Sequence, residues 1–378
     1  MIQRQLFPVI LNSFKPGFVT VIYGPRRVGK TILLNQVVSS LEKDLQKVLN
    51  LNGDTQEARD ALGNTSIVHL ENLVKPYSVI SIDEAQRIPN IALSIKIIID
   101  NFPDKKVIVT GSSSLDLATG MKETLTGRIN EFHLFPFSTT ELSENLEEYQ
   151  TPYLLENQLL FGGYPYLTQL GSPSEKIAYL QKLANEYLFR EITTLQQIAY
   201  PEVIKNLATL LAFQLGSEVS LNELATKLKV DVKTISKYIY LLKSGFIIFE
   251  LGAFSRNLRT EVVKSKKYYF WDIGVRNSLI GQFASLDIRP DIGQIWENFL
   301  AVERLKVQEY NQETVQNFFW RSYEKAEVDW VEIKENKIRA FEFKWKSKKI
   351  TTPKTFRDLY KVEVKLISRE NYLDFVKK

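Results

Sequence analysis

The 378-residue chain has no cysteine, only two histidines (His69 and His133), and no apolar run near membrane-spanning length, which is roughly 18 residues. The first absence excludes disulfides, thiolate catalysis and cysteine-bound zinc, and it fits a cytoplasmic chain. The second makes a histidine-ligated metal centre an unpromising reading. The third removes the membrane from the expected partners. The opening MIQRQLFPVILNSFKPG carries a short apolar patch without the layout of a cleavable signal. What is present is the composition of a folded globular protein, 44% hydrophobic and 25% charged. The length is more than one compact core serves, so about two or three domains are expected.

Charge is unevenly placed. Trp330 to Lys378 holds fourteen Lys+Arg against seven Asp+Glu, and Ser217 to Phe270 holds ten against five. With a formal net charge of +5 overall, the remainder is net acidic. A polyanion partner such as DNA would therefore sit on the C-terminal half, unless these lysines are only a solvated surface.

Gly24 to Thr31 read GPRRVGKT, a full match to G-x-x-x-x-G-K-[ST], between a β-branched run and a helical pattern (Ile32, Leu33, Leu34, Val37, Val38, Leu41). Gly24 and Gly29 let the loop curl so that its N–H groups, from Pro25, Arg26, Arg27 and Val28 through to Ile32, surround phosphate oxygens. (Pro25 contributes shape only, having no N–H.) Lys30 is expected to reach the β- and γ-phosphates of ATP and Thr31 to offer its hydroxyl to Mg²⁺. The apolar run Val79, Ile80, Ile82 ends in Asp83-Glu84. Asp83 is the expected Mg²⁺ partner and Glu84 the base, although two acidic residues after a strand also open helices. A third strand ends in Thr110 and Ser112, Ser113 and Ser114. These are either γ-phosphate sensors or a favourable turn, and Thr110 is the preferred sensor. Arg128 follows, read as an arginine finger on the phosphate side for a neighbouring subunit, or as an ion-pair residue.

GPRRVGKT, IDEAQRIP, TGSSS, LTGR and FPFSTTEL, in this order, resemble the AAA+ ATPases. Among these they are similar to prokaryotic members whose C-terminal half was long classed as a domain of unknown function. The resemblance covers nearly the whole chain. It implies a C-terminal half that joins a winged helix to a PD-(D/E)xK nuclease-like fold.

From roughly Glu141 to Leu215 the apolar spacing is helical, broken by FGGYPYL at Phe161 to Leu167. Ser220 and Glu223 then form an expected capping box before Leu221, Leu224, Ala225 and Leu228. A turn at Val230-Asp231 leads to a second helix, stopped by Gly245 before the strand FIIFELGAF. Helix, turn, helix and wing predict a DNA-reading element with Lys233, Thr234, Lys237 and Tyr238 on its exposed face, or else a packing module.

In RAFEFKWKSKK, period 2 puts Phe341, Phe343 and Trp345 on one side of a strand, with Glu342 and Lys344 on the other. Asp329 lies on the preceding strand and Glu297 on a helical run before it. Asp329 followed 13 residues later by Glu342-x-Lys344 resembles the PD-(D/E)xK core, with Val328 where the proline would stand. Glu297, Asp329 and Glu342 are the expected metal ligands, with Lys344 as the catalytic amine. The other reading is a plain hairpin with a wet Glu–Lys pair.

The expected fold is α/β: an AAA+ P-loop parallel sheet over 1–145, a helical lid over 146–212, a winged helix over 213–262 and a nuclease-like domain over 263–378. The expected function is Mg²⁺-dependent ATP hydrolysis acting on or regulated by DNA, with a ring or dimer as candidate assembly and nuclease activity left open. The alternative is a nucleotide-dependent switch whose C-terminal half is a non-catalytic docking platform.

Overall fold

The computed structural model describes residues 2–377 except 113–120, 122, 123, 126, 145, 189–199, 255–265, 323, 347 and 348, with backbone only at 148 and 186–188. The chain divides into two compact units, Met1–Phe135 and Pro136–Lys378.

In the first unit, β1 (Val19–Tyr23), β2 (Val48–Asn52), β3 (Val79–Asp83), β4 (Lys106–Gly111) and β5 (Ile129–His133) form one sheet in the order β2-β3-β4-β1-β5. Every pairing is parallel. β1 and β3 are buried at every residue, which explains their unbroken apolar character: a parallel strand is covered on both faces by its crossover helices. Register levels the strand ends, with Asn52 opposite Asp83, Ile82 opposite Val109 and Val21 opposite Val109. Tyr23, Asp83 and Thr110 therefore reach the same carboxyl edge, where ligands of such sheets bind.

The second unit holds a seven-stranded mixed sheet. Its strands are β6 (Glu218–Val219), β7 (Ile248–Ala253), β8 (Lys266–Phe270), β9 (Gln316–Arg321), β10 (Glu327–Lys334), β11 (Lys337–Phe343) and β12 (Val364–Ile367). The order is β12-β11-β10-β9-β7-β8-β6, with β7 and β9 parallel and β7 and β8 antiparallel. The expected boundary at 262/263 thus falls between two hydrogen-bonded neighbours of one sheet. Part of the expected winged helix, 255–262, lies outside the described residues.

The helix-turn-helix spacing is realised as Leu221–Leu228 and Val232–Ser244, separated by Lys229 in the left-handed region (φ 55°). Ser220 accepts the Glu223 N–H at 3.4 Å, but the Glu223 carboxylate turns to Lys227 at 2.6 Å. Half of the expected capping box therefore forms. Asp231 caps the second helix through the Thr234 N–H at 2.7 Å. The FGGYPYL break is a packing joint. Gly162 ends the helix Thr151–Phe161 at φ 78°, and a Cβ there would strike the Asp272 carboxylate. Asp272 accepts the N–H groups of Gly163 at 2.8 Å and Val275 at 2.9 Å. Among the described residues no helix is long and apolar enough to cross a membrane.

One buried ion network makes a pH prediction. Asp291 accepts from Arg276 at 2.5 Å and from Arg289 at 2.9 Å. Burial pushes its carboxyl up, but the two guanidinium groups overcome this and hold it at about 2. The folded pKa is depressed, so the stabilisation is complete above the unfolded value and disappears as pH falls through the folded one. Its full size is on the order of 2 kcal/mol. Urea titrations should show the stability deficit of Asp291→Asn shrinking by about half between pH 6 and pH 3; a deficit independent of pH would remove the ion pairs as its cause.

Candidate functional site

The GPRRVGKT loop joins β1 to the helix Lys30–Lys43 at the carboxyl edge of the first sheet. Gly24 is required by contact, because a Cβ there would strike the Leu134 carbonyl oxygen. Gly29 is required by conformation, since it starts the helix at φ 95°. Pro25 and Val28 are buried, Arg26 is half-buried, and Arg27, Thr31 and Ile32 face solvent. Lys30 is buried, its ammonium donating to the carbonyls of Gly24 at 2.8 Å and Pro25 at 3.0 Å. Its charge is thus held inside the curl that phosphate oxygens would enter.

Thr31 Oγ1 donates to Asp83 Oδ2 at 2.8 Å, joining the loop to the end of β3. Thr110 Oγ1 donates to the other oxygen, Asp83 Oδ1, and accepts the Glu84 N–H at 3.2 Å. Thr110, the expected sensor, is fully buried, and through these bonds its hydroxyl holds both members of the acidic pair. Ser113 and Ser114 lie outside the described residues. Glu84 sits in the left-handed region at φ 49°, and Gln86 Nε2 holds its Oε2 at 2.5 Å while also donating to Ser112 Oγ at 3.1 Å. Sequence reasoning missed Gln86, although IDEAQ places it two residues past Glu84.

Thr31 and Asp83 supply the hard oxygen donors that Mg²⁺ prefers, and their direct contact shows that both reach one point. The residues present fit the ion. Arg128 does not join them. Its carbonyl accepts the Val19 N–H at the amino edge of the sheet, and its guanidinium pairs with Asp100 at 2.5 Å. The five residues of β1 separate it from the loop, roughly 16 Å at strand rise. The expectation that placed it on the phosphate side is corrected, and the ion-pair alternative describes its contacts.

In the second unit the C-terminal candidates do converge. β10 carries Asp329, β11 carries Glu342 just before Lys344, and the helix Ile292–Tyr310 carries Glu297. Asp329 Oδ2 accepts the Phe343 N–H at 2.7 Å and lies 3.8 Å from Lys344 Nζ. Lys344 pairs with Glu342 at 2.6 Å. Burial, with the charges of Glu297 and Glu342, raises the Asp329 carboxyl well above the carboxylate range. Burial lowers the Lys344 ammonium, but Asp329 and Glu342 outweigh it and raise its pKa.

The cluster also contains a residue that spacing did not reveal. Lys267 of β8 is 1% exposed and donates to Glu297 Oε1 at 2.9 Å; it pairs with Glu327 as well. Glu297 further accepts the Tyr269 hydroxyl at 2.6 Å. Among the described residues no three carboxylate or imidazole side chains are arranged to hold a metal ion. Lys344 stands between Asp329 and Glu342, and Lys267 takes up Glu297.

On the helix Val232–Ser244, Lys233 and Lys237 are exposed. Thr234 is half-buried, its hydroxyl held by Asp231 at 3.1 Å. Tyr238 is only 4% exposed, so its expected place on the recognition face is corrected. It falls three residues after the buried Ile235 and so shares the inward face. The outward face carries Lys233, Ser236, Lys237 and Tyr240, the last 52% exposed.

Residues 17–143 match a family model described as an AAA domain, residues 153–286 match Domain of unknown function (DUF8612), and residues 292–374 match Domain of unknown function (DUF4143). The chain is 25% identical over 314 residues to an uncharacterized protein of Mycobacterium tuberculosis, covering 82% of this chain and 66% of that protein. It is also 25% identical over 340 residues to an uncharacterized protein of Methanocaldococcus jannaschii, covering 85% and 74%. Among solved structures it is similar to AMPPCP-bound DnaA from Aquifex aeolicus at a TM-score of 0.30 and 16% identity, covering 63% of this chain and 86% of that one. The chain spans slightly under two thirds of the mycobacterial relative's length. The stretch that matches the AAA-domain model holds both the Gly24–Thr31 loop and the five-stranded parallel sheet.

Proposed function

We propose that the chain hydrolyses ATP with Mg²⁺ in its first unit and engages DNA through the helix Val232–Ser244. The observation that carries the ATPase reading is the 2.8 Å contact of Thr31 with Asp83, which seats the loop against the strand whose next residue is Glu84. Thr31 and Asp83 would hold Mg²⁺, which when bound neutralises charge on the β- and γ-phosphates. The loop N–H groups bind phosphate oxygens, and Lys30 exchanges its carbonyl bonds to Gly24 and Pro25 for bonds to the β- and γ-oxygens. Glu84 orients a water for in-line attack on the γ-phosphorus and takes its proton as the bond to ADP breaks. Thr110 and Gln86 position Asp83 and Glu84 and do not touch the substrate.

The DNA reading is supported by the exposed Lys233 and Lys237 beside Tyr240, within the stretch of ten basic against five acidic residues. ATP turnover should rise when double- or single-stranded DNA is added, and the effect should weaken at higher salt. Lys233→Glu with Lys237→Glu should reduce the slope of log affinity against log salt by about 2 in a fluorescence-anisotropy titration. A slope unchanged by the double variant would move DNA off this helix; no salt dependence in the parent chain would favour a protein partner. The position of Lys267 favours the docking-platform reading of the C-terminal sheet over nuclease activity.

A further inference from the structure

A nuclease-like site of the kind Glu297, Asp329, Glu342 and Lys344 suggest needs carboxylate oxygens turned toward one vacant point, each about 2.0–2.6 Å from a divalent ion. This cluster is organised around a side chain instead. Lys267 comes from β8, paired with β7 at Leu251 and with β6 at Glu218. It passes over the Phe319 ring, 5.2 Å from ammonium to centroid, and ends between Glu297 and Glu327. An ammonium offers three N–H donors and accepts nothing, so it satisfies several carboxylates as a small cation would. Gly216, at φ 69°, leaves the space that the Glu297 carboxylate fills. Arg321 completes the arrangement, 3.0 Å from Glu218 and 3.9 Å from Glu327.

We propose that Lys267 is the built-in cation of this cluster, occupying Glu297 so that it is not available as a ligand to a divalent metal beside Asp329 and Glu342. The site then takes up no metal and cuts no phosphodiester. Its carboxylates instead fasten the paired strands β7 and β8 of the helix-turn-helix module to β10 and the helix Ile292–Tyr310, making one rigid platform.

The test is Mn²⁺ binding to the full-length chain without nucleotide, followed by electron paramagnetic resonance of free Mn²⁺. The parent chain should show no Mn²⁺ uptake that Asp329→Asn abolishes. Lys267→Met, which removes the ammonium while keeping the stem's bulk, should bind Mn²⁺ at least about tenfold more tightly than the parent, and Asp329→Asn in that background should reverse the gain. A folded Lys267→Met chain with no added Mn²⁺ uptake would overturn the proposal. So would an Asp329-dependent Mn²⁺ site in the parent chain, which decides the matter even if Lys267→Met does not fold. Plasmid cleavage by the parent chain that is lost in Asp329→Asn would overturn it too.

Discussion

Glu84→Gln should lower steady-state ATP turnover by about 10²- to 10⁴-fold, the range for losing a positioned proton acceptor, while leaving nucleotide affinity nearly unchanged. The split follows from geometry. The groups expected to hold the triphosphate are the loop N–H groups, Lys30 and the Thr31–Asp83 pair, and none of them depends on the Glu84 charge. Glu84 itself is placed by its own backbone, at φ 49°, with its N–H on Thr110 and its carboxylate on Gln86. Glutamine has the same length and can keep a hydrogen bond to Gln86, so the site stays assembled while the base is lost. Nucleotide titration and turnover measured on the same sample check this. Equal turnover would remove Glu84 as the base, and a parallel loss of affinity would mean that the substitution had disturbed the loop.

The placement of the candidate phosphate loop was legible because its information is local. The loop, its two glycines and the helix after it occupy one short segment, and Asp83-Glu84 sits at the end of a short β-branched run of the length and composition of a buried strand. Thr110 was placed on the right edge by its strand, but its role was not readable, because its hydroxyl partners come from β3. Arg128 was misplaced for a related reason: it precedes β5, so parallel pairing with β1 carries it to the amino edge. Tyr238 was lost to helical phase, one position from an exposed face and three from Ile235. Lys267 had no readable signal. Its partners Glu297 and Glu327 are 30 and 60 positions away, and β8 joins the strands β9 to β12 of the sheet through β7.

Arg304→Met should destabilise the second unit by about 3–5 kcal/mol, the cost of breaking a buried ion pair. Glu332, 0% exposed on β10, accepts Arg304 Nε at 2.6 Å and Nη2 at 3.2 Å. Gln308 and the Trp330 indole donate to the same carboxylate at 3.0 and 3.1 Å. Arg304 also donates to the Phe375 carbonyl at 3.0 Å and lies 5.0 Å from the Phe375 ring centroid, so it pins the C-terminal helix Tyr372–Val376 against the long helix. Methionine replaces the stem but provides no donor, leaving Glu332 with neutral partners and one remaining guanidinium, Arg339 at 2.7 Å. Glu332→Gln should cost a comparable amount, about 3–5 kcal/mol, because it leaves the buried Arg304 guanidinium with only the glutamine oxygen and the Phe375 carbonyl. The double variant Arg304→Met with Glu332→Gln distinguishes stranded charge from lost packing: it should cost less than the sum of the two single changes, and additive costs would remove the ion pair as the cause. Urea unfolding followed by tryptophan fluorescence reports it directly, since Trp330 sits inside the network.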